Sequence, residues 1–275
     1  MISRVEDSAD PRIAPYRLVA DPHALGREGL FAAEGRLVAP QLLASRYRVH
    51  SVLVSDTALA SITPALETRP DVDVFVAPAA VLSEIGGFDF HRGCLALGHR
   101  GERKSLEQIV AAPPPAQDLA PGARGPAPLL ILEAVSNPDN VGGIFRSADA
   151  FGAAAVLLGP GCGDPLYRKA IRTSMGATLQ VPWTELAEWP AALRAVRARG
   201  YHVIALTPGA LSMPLRDAVA ASAAPMAFLL GSEGFGLSRD AMNAASAIAR
   251  IPMARGDSLN VATAAAIALY AASLA

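Results

Sequence analysis

Three short stretches carry residues whose types and spacing could do chemistry. The first reads SNPDNVGGIFRSADAFGA from Ser136. Asn140 is placed to cap a helix beginning at Val141. Gly142 and Gly143 weaken such a helix by roughly 1 kcal/mol each relative to alanine, so something must approach that backbone closely. Arg146 lies one turn on, and a helix N-terminus beside an arginine is an anion site. The second stretch is GSEGFGLS, from Gly231 to Ser238. Glu233 stands among glycines, where a carboxylate could accept hydrogen bonds from hydroxyls or amines, and Ser238 is placed to cap the next helix. The third is IPMARGDSLNVATAAAIALY, starting at Ile251. Asp257 or Ser258 would cap the last helix, and Ser258 and Asn260 are small hydrogen-bonding groups at its start. Taken singly, each stretch also reads as a capped helix or a tight turn.

The elements that must hold these stretches alternate in type. Strands are expected at 129–135, 154–159, 179–183, 201–207, 226–231 and 247–253, with helices at 140–151, 165–176, 186–199, 238–246 and 258–272. The strands are mostly apolar runs, as in a parallel sheet covered on both faces. In such sheets ligands bind beyond the carboxyl ends of the strands, which is where all three stretches fall. The last helix is apolar nearly all round, so it is buried or forms an interface. Upstream, 31–47 has helical spacing, 49–55, 72–77 and 93–99 look like strands, and 79–87 looks like a short helix. That pattern implies a small α/β domain. Six prolines and two glycines within 111–128 point to a linker. The expected division is 1–104, a linker at 105–128, and 129–275.

Composition excludes several classes. The 275 residues are 52% apolar, too many for a disordered chain. There are 24 basic and 25 acidic residues, so bulk charge alone does not call for nucleic acid. All but two of the basic residues are arginines, the side chain suited to paired phosphate contacts, although codon bias in an Ala- and Arg-rich proteome is the plainer explanation. Two cysteines, Cys94 and Cys162, lack metal spacing, and the five histidines are scattered, so no metal is expected. His91 and His99 read as structural or surface groups. Apolar runs are too short to span a bilayer. The charged N-terminus is no secretory signal, which makes a cytoplasmic protein the expectation. A glycine turn, Gly159, Gly161 and Gly163, imitates a dinucleotide-binding or Rossmann-type methyltransferase fingerprint, with Glu185 as its acid. Pro160 inside the turn and a strand that is not the first of its domain speak against it.

Together and in this order, the three stretches resemble the motifs of the SPOUT superfamily, SpoU/TrmH branch. RKAIRTSMGA (168–177) is similar to that branch as well. The resemblance implies an α/β parallel-sheet domain with a C-terminal trefoil knot, S-adenosylmethionine as cofactor, and 2′-O-methylation of RNA ribose by a homodimer. Asn140, Arg146, Glu233, Ser258 and Asn260 match the catalytic positions. Leu206, Thr207, Gly231, Ile251, Met253 and Leu259 match cofactor-binding positions. The segment between Met253 and Ser258 is one residue shorter than the family's common form. The region around AEGRLVAPQLLAS and FHRGCLAL is similar to a substrate-binding domain that favours ribosomal over transfer RNA. Arg46, Arg48, Arg100, Arg103, Lys104, Arg168, Lys169 and Arg172 are the candidate phosphate contacts. Two other readings stand beside this one. The first is a catalytically silent RNA-binding or ribosome-assembly protein. The second is a Rossmann-type methyltransferase using Gly159–Gly163.

Overall fold

A computed structural model describes residues 1–86, 93–110, 127–209 and 212–274. His91, the first residues of the FHRGCLAL stretch and most of the expected linker lie outside the described residues. The chain forms two compact units. Unit 1 is Met1–Glu102 with Pro165–Gln180, and unit 2 is Arg103–Asp164 with Val181–Ala275. The block expected to run unbroken from 129 therefore lends residues 165–180 to the first unit.

Unit 1 is built on five strands: β1 (Ile2–Arg4), β2 (Leu30–Glu34), β3 (Val49–Ser55), β4 (Asp73–Ala77) and β5 (Cys94–His99). Their order is β1-β4-β3-β5-β2, with β4 parallel to β1 and β3, and β5 antiparallel to β3 and β2. Ser55 ends β3 and caps the helix Asp56–Glu67 by accepting from the Ala58 amide. The helix expected over 31–47 is a misreading. Leu30–Glu34 is a strand buried along its whole length, and only Ala39–Leu43 is helical. An apolar run covered on both faces has no alternation, so spacing alone cannot separate it from a helix. Gly35, at φ +107°, ends the strand.

Residues 165–180 are anchored in unit 1 through Glu34. This carboxylate is 6% exposed and accepts from Arg168 Nη1 at 3.1 Å and Arg172 Nη1 at 3.4 Å. Nearby, Arg46 donates to the Gln180 carbonyl and Gln180 to the Gln41 carbonyl, both at 3.0 Å. The helix expected at 165–176 is shorter, Arg168–Thr173. The strand expected at 179–183 is replaced by a helical turn, Ala177–Gln180, with the strand following it.

Unit 2 carries seven strands: β6 (Leu129–Glu133), β7 (Ala155–Leu158), β8 (Trp183–Glu185), β9 (His202–Leu206), β10 (Met213–Pro214), β11 (Met226–Gly231) and β12 (Ala247–Arg250). All neighbours are parallel, in the order β10-β12-β9-β11-β6-β7-β8. Alternate residues such as Leu129, Ile131, Val203, Ala205, Ala227 and Leu229 enter a core with the helix Ala191–Ala198. Their neighbours Leu130, Leu132, Ile204, Phe228 and Leu230 are buried on the other face. Burial on both faces explains the unbroken apolar runs. On that other side the helices Pro138–Ala150 and Val261–Ser273 touch; a Cβ on Gly143 would stand 3.0 Å from the Ala262 Cβ. At Gly143 the close approach is thus another helix. No helix among the described residues is long and apolar enough to cross a membrane.

Replacing Glu34 leaves two guanidinium groups without their buried acceptor. Glu34→Ala is expected to lower the unfolding free energy by about 1–3 kcal/mol, measured by urea denaturation.

Candidate functional site

Within unit 2, a cavity of about 430 Å³ opens at the carboxyl ends of β9, β11 and β12. Leu206, Thr207, Gly231, Ile251, Met253 and Leu259 all line it, together with Glu233 and Ser258. Apart from Thr207, Ser232, Glu233 and Ser258, its wall is made of apolar side chains and glycines. Gly231 is required by packing, since a Cβ there would stand 2.3 Å from the Gly236 carbonyl carbon. The loop folds back so tightly because Gly236 donates its amide to the Ser232 carbonyl (3.0 Å) and the Phe235 amide to Ser232 Oγ (3.3 Å). Gly236 itself sits at φ +67°, which only glycine adopts at no cost.

At the cavity rim the three sequence stretches meet in one side chain. Asn260 donates from Nδ2 to Asn140 Oδ1 at 2.8 Å and to Glu233 Oε1 at 2.6 Å. Its Oδ1 accepts from the amides of Ala262 (2.9 Å) and Thr263 (3.2 Å). Asn260, and neither Asp257 nor Ser258, therefore caps the last helix. Likewise the first helix starts at Pro138 under an Asn137 cap, so Asn140 stands in its first turn, 8% exposed, and is not the cap. The proline two residues before Asn140 sets this start, because proline suits the first helical position. Ser238 does cap its helix, accepting from the Ala241 amide at 3.2 Å.

Arg146 and Ser258 are less constrained. Arg146 is exposed and has no hydrogen-bond or ion-pair partner among the described residues. It lies one turn beyond Gly143, whose face packs on the start of the last helix, so it shares the side on which Asn260 sits. Ser258 lines the cavity but takes no part in the Asn140–Asn260–Glu233 cluster.

One polar side chain escaped the sequence reading. Glu133, 6% exposed at the end of β6, accepts from Trp189 and from Ser238. The signal was present as the single charged residue of an apolar strand followed by Ala134, which the structure holds at φ +56°.

The glycine turn at 159–163 is explained by packing. A Cβ on Gly159 would meet the Leu132 carbonyl at 2.8 Å, and one on Gly163 the Ser136 carbonyl at 2.6 Å. The next helix starts only at Arg168, so the turn does not open a helix as the dinucleotide fingerprint requires. The cysteines are poor nucleophiles, since burial pushes the Cys94 thiol up to about 12 and the Cys162 thiol up to about 11.

Against known proteins, residues 127–270 match the SpoU rRNA Methylase family. An uncharacterised tRNA/rRNA methyltransferase of Mycobacterium tuberculosis is 38% identical, covering 98% of this chain and 91% of that protein. A 23S rRNA (guanosine-2′-O-)-methyltransferase of Photobacterium profundum is 28% identical over 82% of this chain and 94% of its own length. The AdoMet-bound rRNA methyltransferase structure from Sinorhizobium meliloti superposes with a TM-score of 0.76 at 26% identity, covering 98% and 97% of the two chains.

Asn260→Ser retains a capping oxygen and removes both bridging donors. Asn260→Asp retains the cap but sets a carboxylate against the Glu233 carboxylate. Thermal unfolding is expected to show Asn260→Asp as the less stable of the two, although aspartate is the equal or better cap in isolated helices.

Proposed function

The chain belongs to the SpoU rRNA Methylase family, and from that premise we propose that it transfers a methyl group from S-adenosylmethionine to the 2′-hydroxyl of a ribose in structured RNA, ribosomal RNA rather than transfer RNA. The observation that carries this reading is the convergence of Asn140, Glu233 and Asn260 beside the cavity, with Arg146 six residues beyond Asn140 on the same helix, exposed and without a hydrogen-bond or ion-pair partner among the described residues.

The residues present fit the cofactor. A volume of about 430 Å³ lies within the usual range of about 300–1,000 Å³ for small-ligand pockets. Leu206, Ile251, Met253 and Leu259 would hold the apolar parts, and the backbone at Thr207 and Gly231 the polar edges. When bound, S-adenosylmethionine supplies a methyl already activated on a sulfonium. The chain then has to orient a hydroxyl and steady the charge that develops on its oxygen. Orientation alone contributes about 7–11 kcal/mol in well-aligned systems. A guanidinium is a permanent cation, so Arg146 acts by stabilising the developing alkoxide and gripping an adjacent phosphate. Asn140 has its oxygen engaged by Asn260, which leaves its amide N–H groups to donate to the ribose or phosphate. Glu233 spends Oε1 on Asn260 and retains Oε2 as an acceptor.

The 2′-oxygen as acceptor is supported by the printed activity of the Photobacterium relative, and the cofactor by the Sinorhizobium structure. Substrate choice would belong to unit 1. There Arg46 lies over the Tyr47 ring at 5.0 Å and Arg48 donates to His99 Nδ1 at 3.2 Å, an exposed pairing of cations and rings suited to single-stranded RNA. Arg168 and Arg172 are engaged by Glu34, and Arg103 by Glu185, which makes them weaker phosphate contacts than Arg48. The last helix buries Val261, Ala265, Ala268 and Leu269 and exposes Tyr270, in keeping with a homodimer contact on its outer face. A trefoil knot at the C-terminus and a cytoplasmic location complete the proposal.

Arg146→Ala is expected to lower kcat for RNA methylation by about 10²- to 10³-fold while leaving S-adenosylmethionine binding unchanged. Arg146→Lys keeps the charge, loses the paired contact, and should fall between. Full activity in Arg146→Lys would contradict the forked contact, and full activity in Arg146→Ala would remove Arg146 from the site.

A further inference from the structure

Glu133 takes no part in the chemistry above, yet its carboxylate is among the best-held side chains of unit 2. Oε2 accepts the Ser238 amide at 2.8 Å. Oε1 accepts Ser238 Oγ at 2.7 Å and Trp189 Nε1 at 2.7 Å. Burying a carboxylate is costly, and among the described residues Glu133 makes no ion pair. Hydrogen bonds alone offset that cost.

What those bonds hold is the loop over the cavity. In the β6–β11 ladder Glu133 is the register partner of Gly231, the first residue of the loop. Its side chain takes hold of Ser238, the residue that follows the loop and caps the next helix. One residue thus meets both ends of a loop whose interior lines the cavity and carries Glu233. The Ser238 hydroxyl donates to Glu133 and accepts from Ala241, so its rotamer is fixed from both sides. Trp189, the third partner, packs on Gly159, where a Cβ would stand 2.9 Å from the indole.

We infer that Glu133 is a positioning residue that sets the 231–238 loop over the cavity and thereby determines affinity for the cofactor. This rests on the S-adenosylmethionine reading above.

The test is calorimetric binding of S-adenosylmethionine to wild type, Glu133→Gln, Ser238→Ala and the double variant. Binding is measured well below each variant's unfolding temperature, with kcat taken at saturating cofactor. An amide at 133 offers one acceptor oxygen to three donors and turns a donor against the rest. Glu133→Gln is expected to raise Kd at least tenfold, with kcat at saturation within about threefold of wild type. Ser238→Ala should raise Kd less. The double variant should match Glu133→Gln alone, because both changes release the same loop end. Should Glu133→Gln not fold, a threefold or greater rise in Kd for Ser238→Ala supports the inference, and an unchanged Kd overturns it. A lowered Tm with an unchanged Kd in Glu133→Gln marks a purely structural carboxylate and overturns it too. Absence of binding by wild type would overturn the cofactor reading and the inference with it, whereas equal binding by wild type and Glu133→Gln would overturn the inference alone.

Discussion

The amide of Asn260 uses both of its N–H groups and its oxygen within a few ångströms of backbone and side chain. Its oxygen closes the first turn of the last helix on the Ala262 and Thr263 amides, so its nitrogen can point only towards Asn140 and Glu233. That orientation is not free to invert, because an inverted amide would set N–H groups against N–H groups. Capping and bridging are therefore one constraint. The helix Val261–Ser273 cannot start elsewhere without releasing Asn140 and Glu233.

The rest of unit 2 is arranged so that these loops can come so close. Gly231 admits the backbone of Gly236, and Gly143 admits the Ala262 side chain. A methyl group at Gly231 would displace backbone, which no rotamer change can relieve. Behind them lies a parallel sheet covered on both faces, whose adjoining strands β9, β11 and β6 end at the same level. The site's polarity is confined to a few side chains, and the remainder of the wall is apolar or backbone. Such a wall suits a ligand gripped through its edges while one activated group is presented to solvent-borne RNA.

Much of this was legible in the sequence where a residue type has few uses. Glycines around a lone carboxylate and apolar strands ending at each stretch point to the loops beyond the strand ends, and the family resemblance names the residues that line the cavity there. Caps were read less well. Asn140, Asp257 and Ser258 are all good capping residues, and only the packing of Pro138 and the bridge from Asn260 decide that Asn137 and Asn260 do the work. The spacing over 31–47 suggests a helix although Leu30–Glu34 is a strand, because full burial erases the alternation that marks one. That residues 165–180 group with the first unit is not legible locally, because the pairing of Arg168 and Arg172 with Glu34 spans more than 130 positions. Glu133 was missed for the same reason, since its partners Trp189 and Ser238 come from distant turns.

The central claim is that this arrangement presents a ribose hydroxyl, and not a base, to the methyl donor. Nucleoside mass spectrometry settles that point directly, on ribosomal and transfer RNA separately incubated with the protein and isotopically labelled S-adenosylmethionine. The account predicts label on the ribose 2′-oxygen of one nucleotide, in the ribosomal RNA. Label on a nucleobase would contradict it.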